Sequence, residues 1–445
     1  MNGTALHEIR ACFEGAIPAV VATCGADGVP NVAYISQVFY VDERHVALSF
    51  QFFNKTRQNI LANPCATALL LHPGTAQFYR LHLRYLRTET WGPLFEGMKA
   101  QLAGIASHSG MQDVFRLLGS DVYEVVRIEV PESHPLAAPA PRAGWLGAVR
   151  RASEQLVRCV SLDDALRAVL TTLSDSLGVP HAMVLMVDSA RQRLYTVASS
   201  GYATSGVGSE VHMGQGVIGV AARERTPVRI GHMTNAALYS QAMRSSFEAQ
   251  IPDFDPVTDI PYPGLEAPHS QLAVPVQSAR GLLGVLFVES ASDLQFSYED
   301  EDALVAIAGQ LGATIELLQA TADSADAAAP PLAPSVAVGT PLKLRHFGSN
   351  DSVFLQDAYL IKGVAGAILW KLLRDHQQSG RVEFSNRELR LDLAHKLPDV
   401  ADNLEARLLL LQRRLAEQGG PIRIEKTGRG RFRLVLGQPV ELEEA

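Results

Sequence analysis

The chain has 445 residues, 47% hydrophobic and 19% charged, with 39 Lys and Arg against 47 Asp and Glu. This balance excludes wholesale disorder, and the length suits about three domains. No run of about 18 consecutive apolar residues occurs, so no membrane-spanning helix is expected. The first residues carry His7, Glu8, Arg10 and Glu14 where a signal peptide would be apolar. Four widely spaced cysteines (Cys12, Cys24, Cys65 and Cys159) form no CxxC pair, disulfide framework or zinc pattern. A reduced, cytoplasmic setting is expected, with no metal site.

Two Ala- and Pro-rich stretches divide the chain. Residues 131–143 read PESHPLAAPAPRA, and residues 322–341 read ADSADAAAPPLAPSVAVGTP. Neither has an apolar period, so both are expected to be linkers. The predicted domains are 1–130, 151–320 and 342–445, with linkers at 131–150 and 321–341. Charge is uneven among them. From Thr340 to Ala445 there are 17 Lys and Arg against 14 Asp and Glu, the reverse of the whole-chain balance. Three of those acids, Glu441, Glu443 and Glu444, are expected to form a terminal tail. A basic block on an acidic protein points to a local anionic partner.

In the first segment, IPAVVATC is a buried apolar run followed by the turn Gly25-Ala26-Asp27-Gly28. Asn31 to Tyr40 and His45 to Phe53 read as strands. Asn54 to Asn59 then opens a short helix ending at Asn63-Pro64, and Ala66 to Leu71 is another strand. Gln77 to Glu89 alternates, with Leu81, Leu83 and Tyr85 on one face and Arg80, His82 and Arg84 on the other. A helix opening on Lys55, Thr56 and Arg57 presents free N–H groups and two cations to an anion, and a solvated basic start is the plain alternative. The run GVPNVAYISQVFYVDERHVALSFQFFNKTRQNILANPCATALLL resembles the pyridoxamine-phosphate-oxidase-like split-barrel superfamily. That resemblance implies FMN, with Lys55, Thr56 and Arg57 on its phosphate and Asn59 supporting the turn. Members of the superfamily also bind haem or a deazaflavin, and some bind nothing. Residues 92–130 form a helical insertion and closing strand instead of the oxidase's substrate segment, which argues against vitamin-B6 chemistry.

The second segment begins and ends with amphipathic helices. Leu156, Val160, Leu166, Val169, Leu170 and Leu173 line the first. Leu304, Ile307, Ala308, Leu311, Ile315 and Leu318 line the last. Strands are expected at Ala182–Val187, Arg193–Ser199, Gln271–Val276 and Leu282–Glu289. Gly214-Gln215-Gly216-Val217-Ile218-Gly219 satisfies GxGxxG. Asn235-Ala236-Ala237 stands where a dinucleotide fold needs an acidic residue, so the run reads as a turn. The runs SLDDALRAVLTTLSDSLGVPHAMVLMVD, MGQGVIGVAARERTPVRI and SQLAVPVQSARGLLGVLFVES resemble a GAF domain, in order and spacing. The resemblance implies an α/β/α sandwich with a small-molecule pocket, and often a homodimer. The long stretch from His232 to His269 is the expected lid, with His232, Tyr239, Phe247, Tyr262 and His269 as pocket candidates. Either histidine would be the ligand if the pocket held haem.

The third segment has three helical patterns and a hairpin. They are Ile361–Arg374, the capping box at Ser385-Asn386-Arg387-Glu388, and a helix opening at Asp402-Asn403. Leu404, Leu408, Leu411 and Leu415 share one face of the last helix, flanked by Arg407 and Arg414, with Arg413 opposite. Strands at Ile422–Glu425 and Arg431–Leu436 enclose Thr427-Gly428-Arg429-Gly430. The closing half resembles a response-regulator-type winged helix. That implies DNA binding by Arg407, Arg413 and Arg414 on the helix and Lys426, Arg429 and Arg431 on the wing. The whole reads as a multidomain α+β chain of split barrel, GAF sandwich and winged helix-turn-helix. The expected role is a dimeric one-component transcription regulator that senses a ligand or redox state, with no catalytic residues. The alternative is a flavin-dependent oxidoreductase regulated by its GAF domain.

Overall fold

The fold is that of a computed structural model, which describes residues 4–14, 18–35, 37–50, 55–108, 117–136, 144–231, 260–323, 341–392, 403–428 and 430–444. The N-terminal part builds a seven-stranded antiparallel sheet from β1 (Ala19–Cys24), β2 (Pro30–Ile35), β3 (Val38–Tyr40), β4 (His45–Phe50), β5 (Cys65–Leu71), β6 (Phe78–Glu89) and β7 (Gly119–Glu129). Their order is β2-β1-β5-β6-β7-β4-β3. The stretch Asn31–Tyr40, expected as one strand, is therefore two strands at opposite edges of the sheet. The chain crosses the split between them beside Gln37, whose buried Nε2 donates to Phe13 O at 2.6 Å. Inward side chains alternate along β1 and β5 and close on Phe13, Val21, Ile60 and Leu81. Helix α1 (Lys55–Ala62) packs on β1, and α2 (Pro93–His108) bridges the barrel, where Met98 and Leu102 meet Phe39 and Ala47, and the next domain.

The central sheet has six strands: β8 (Ala182–Asp188), β9 (Arg193–Ser200), β10 (Glu210–His212), β11 (Val228–Ile230), β12 (Ser270–Ser278) and β13 (Gly281–Ser290). They run in the order β10-β9-β8-β13-β12-β11. Helices α3 (Trp145–Leu156), α4 (Leu162–Leu177) and α6 (Tyr298–Asp323) cover one face. Helix α5 (Gly216–Glu224) covers part of the other, where Ala100 of α2 joins Val217, Ile218 and Ala221. Helix α3 begins inside the expected linker because Trp145 is anchored: its Nε1 donates to Asp300 at 2.9 Å. Within α6, Tyr298–Thr321 is long and apolar enough to cross a membrane by length and composition. Here its Leu304, Ile307, Leu311 and Ile315 are buried in the domain core.

The C-terminal part opens with β14 (Leu342–Phe347), β15 (Ser352–Leu355) and β16 (Ala358–Ile361), which sequence patterning did not reveal. Helices α7 (Gly363–Ser379), α8 (Asn386–Asp392) and α9 (Leu404–Glu417) follow. Between α7 and α8, β17 (Glu383–Ser385) pairs with the terminal hairpin of β18 (Ile422–Gly428) and β19 (Arg431–Leu436). The capping box expected at Ser385 forms: Glu388 accepts from the Ser385 backbone N–H at 3.1 Å, and the Ser385 hydroxyl accepts from the Glu388 N–H. The expected acidic tail is instead a strand, β20 (Val440–Glu444), parallel to β14. Its acids have cationic and donor partners. Glu443 meets Lys343 at 2.8 Å, and Glu444 accepts from Trp370 Nε1 at 3.2 Å.

Deleting residues 440–445 should therefore destabilise the C-terminal sheet by about 2–4 kcal/mol, since Val440 and Leu442 pack against the core. Denaturant unfolding followed by the fluorescence of Trp370 would measure it. A solvated tail would leave the midpoint unchanged.

Candidate functional site

The four barrel candidates share one short helix but point to different neighbours. Lys55 is exposed at the start of α1. Thr56 Oγ1 accepts from Asn31 Nδ2 at 2.9 Å. Arg57 turns away from the helix start into an ion pair with Asp121, donates to Thr88 Oγ1 at 3.2 Å, and lies 3.8 Å over the Phe50 ring. Asn59 is buried and donates to Thr23 Oγ1 at 3.2 Å, fixing α1 on β1. An anion at this helix start thus meets Lys55, the Thr56 hydroxyl and the first backbone N–H groups. That donor set fits a phosphate. Arg57 holds Asp121 instead, so it positions the helix. Neither Asp121 nor Asn31 was legible as a partner, because sequence distance hides which carboxylate or amide folds back.

On the central sheet, successive residues of each strand face opposite sides. Met183, Leu185, Leu194, Val211 and Phe287 face α5 and α2, with Tyr262 and Tyr202 packed against them. The same side carries an acid that sequence patterning missed. Glu289 is buried, its Oε1 accepting from the Leu265 N–H at 2.8 Å and its Oε2 from Gln271 Nε2 at 3.0 Å. Burial raises its carboxyl above the ordinary range, against the lowering effect of those hydrogen bonds and of Tyr202. Among the pocket candidates, Tyr262 lies on this side. His269 does not join it: half-exposed at the start of β12, it pairs with Asp293 at 3.3 Å. His232, Tyr239 and Phe247 lie outside the described residues.

The glycine run forms a turn into α5. Gly214 and Gly216 have φ of 84° and 60°, and a Cβ at Gly219 would sit 2.1 Å from His212 O. The strand before it, β10, is three residues long and antiparallel to β9, so the βαβ frame of a dinucleotide site is absent there.

The helix arginines are not presented to solvent, which corrects the sequence-based expectation. Arg407 is buried against the central domain, 2.8 Å from Asp188 and 4.0 Å over the Tyr195 ring. Arg413 donates to Val197 O and to Asp163, both at 2.7 Å. Arg414 donates to Leu360 O at 3.1 Å and pairs with Glu417 at 2.5 Å. The reason is compositional: Ala406, Leu408, Leu409, Leu410 and Leu411 make α9 apolar nearly all round, and such a helix is buried on most sides. On the hairpin, Lys426 is exposed and Arg431 half-buried; Arg429 lies outside the described residues.

Family models match two of the three parts. One described as pyridoxamine 5'-phosphate oxidase matches residues 5–116, and one described as GAF domain matches residues 159–316. The N-terminal domain is thus of the pyridoxamine-phosphate-oxidase-like kind and the central domain is a GAF domain. Together they define a ligand-sensing multidomain protein. The chain is similar to the GAF domain of an Acinetobacter phosphoenolpyruvate-protein phosphotransferase, at 22% identity and a TM-score of 0.31, over 41% of this chain and 98% of that one. It is similar to Group A Streptococcus HupZ at 21% identity and a TM-score of 0.24, over 30% and 100%. A third similarity is to an FMN-binding protein from Syntrophomonas wolfei, at 15% identity and a TM-score of 0.24, over 30% and 88%. No curated protein matches the chain.

Two outcomes follow from these contacts. Asp121→Ala strands a largely buried guanidinium and should cost the barrel about 3–5 kcal/mol in denaturant unfolding, whereas an exposed pair would cost under about 1. Glu289 has a raised carboxyl, so its stabilising protonated form persists below the ordinary value near 4.5 and is lost as pH rises through the higher folded value. Wild-type stability should fall across that window while Glu289→Gln stays flatter; parallel pH-dependent melts of the two proteins test the sign.

Proposed function

We propose that the chain is a cytoplasmic one-component regulator: the barrel and GAF domain sense a small ligand or redox state, and a C-terminal winged helix answers on DNA as a homodimer. The observation that carries the output is the element order after residue 341. Three strands precede three helices, a hairpin folds back on a strand set between the first two helices, and the last strand returns to complete the first sheet. This is the plan of a winged helix, with α9 as the reading helix and β18–β19 as the wing. Lys426, Arg429 and Arg431 supply cations for phosphate on that wing. Phosphate contacts release counterions, so binding should weaken steeply with salt.

For the barrel, the family match and the donor set of Lys55, Thr56 and the α1 N-terminus support FMN, held by its phosphate. Bound flavin would supply a redox-active ring, while this chain's residues would hold and orient it. Haem in the GAF pocket is the less supported cofactor, because His269 is tied to Asp293 at the surface.

Two measurements test the reading. Purified protein should show the two-banded yellow spectrum of an oxidised isoalloxazine, and Lys55→Ala with Thr56→Ala should lose it; a colourless wild type would remove the cofactor. Binding to random-sequence DNA at low salt should fall linearly on a log–log salt plot, with the slope reduced by about 1 in each of Lys426→Ala and Arg431→Ala. Lys426 is exposed with α9 docked, so an absence of binding at low salt would sink the DNA reading.

A further inference from the structure

We infer that the GAF domain clasps the output helix α9 across β8, β9 and the start of α4, so that DNA reading by that helix requires its release. The inference rests on the proposed DNA-binding role, and it comes from contacts that the role alone does not predict. Along one side of α9, Arg407 reaches Asp188 at the end of β8 and the Tyr195 ring on β9. Two turns further, Arg413 bonds Val197 O on β9 and Asp163 at the start of α4. At the end of the helix, Glu417 accepts from the Ser205 hydroxyl. Between these polar contacts a Cβ at Gly208 would lie 3.6 Å from Leu410, so apolar side chain meets bare backbone there. The hydrophobic cores of the two domains run together, Val197 and Val207 joining Leu408, Leu409 and Leu410.

The same strands are wired to the face under α5. Leu194 and Tyr195 are consecutive on β9 and point to opposite sides: Leu194 lies in the cluster under α5, and Tyr195 lies under Arg407. Strand β10, paired to β9, leads directly into the Gly214–Gly219 turn and α5. Its Glu210 bonds Arg193 at 2.7 Å and sits 3.7 Å from Lys362, which caps the first helix of the output domain. A ligand that shifts β9 or β10 from the α5 side therefore acts on the anchors of the clasp with no further relay. Such a shift is the differential contact that a two-state switch needs.

Asp188→Asn is the informative variant. The Asn oxygen still accepts from the Arg191 N–H, as Asp188 does at 3.1 Å, but Arg407 loses its counter-charge and is better solvated outside the clasp. Exposed Asp175→Asn on the same domain makes the same charge change away from the interface. In the full chain, Asp188→Asn should speed backbone hydrogen exchange of residues 404–417 at least tenfold and tighten binding to random-sequence DNA at least tenfold. Asp175→Asn should do neither. Ser205→Glu, on an exposed loop, sets a carboxylate against Glu417 and should loosen the same helix if Asp188→Asn folds poorly. Unchanged protection of 404–417 in both variants overturns the clasp. Protection lost without any gain in DNA binding overturns the masking role while leaving the docking contact in place; an absence of binding at low salt in wild type and variant alike overturns the DNA-binding reading.

Discussion

A guanidinium taken out of water needs a carboxylate beside it, and three buried arginines show what this chain does with that constraint. Arg57 meets Asp121 inside the barrel. Arg229, on the GAF edge strand β11, meets Glu14 of the barrel's N-terminal segment and Glu301 of α6, and lies over the Tyr298 ring. Arg407 of the output domain meets Asp188 of the GAF sheet. The last two pairs cross domain boundaries. Paired buried charges add little net stability over an apolar contact, but breaking one is costly, so they fix the register of the parts they join. The domains are therefore docked in defined positions on one sheet, the barrel at its β11 edge and the C-terminal domain at β8 and β9.

That sheet is the shared support. Its α3, α4 and α6 face is a closed core of leucine, isoleucine and valine. Its other face carries, among the described residues, α5 together with α2 of the barrel, with Lys99 of α2 held 3.0 Å from Glu224 of α5. The barrel helix expected as a local insertion is thus part of the GAF sensing side. A change in the barrel reaches α5 through α2, and a change at α5 reaches β10 through the glycine turn. Both routes lead to β9, on which α9 is anchored.

Much of this was legible in sequence where one periodicity dominated. The long closing helix and α4 have apolar stripes with one buried side, although the expected first helix is two, α3 and α4, with Val160 exposed between them. The glycine run lies where positive φ and close backbone approach demand it. Legibility failed where local pattern and tertiary use diverge. Val-Glu-Leu-Glu-Glu looks solvated, yet its alternation suits an edge strand whose acids meet Lys343 and Trp370. Asn31 to Tyr40 has uniform strand propensity, and only the split of the barrel breaks it in two. Cys24 and Cys65 are 41 positions apart, but the register pairing Thr23 with Ala66 sets their strands' ends side by side. The arginines of α9 were read as free because charge shows in sequence while its partner does not. Asp188 and Asp163 lie more than 200 residues upstream.

The composition of α9 itself argues for two uses of one helix. A helix meant only for a DNA groove would keep its outer face polar, and one meant only for a core would not spend arginines at its flanks. Here Leu410 stands between Arg407 and Arg413 on the side that meets the GAF domain. The leucines favour the docked state through apolar burial of about 1.5–3 kcal/mol each, whereas the arginines lose little on leaving it for phosphate or water. On the release proposed above, the docked state is the resting one by the apolar contribution, and the cationic flanks would keep the released state within reach of a ligand-driven shift. An all-leucine face would hold the helix permanently, and an all-arginine face would never dock.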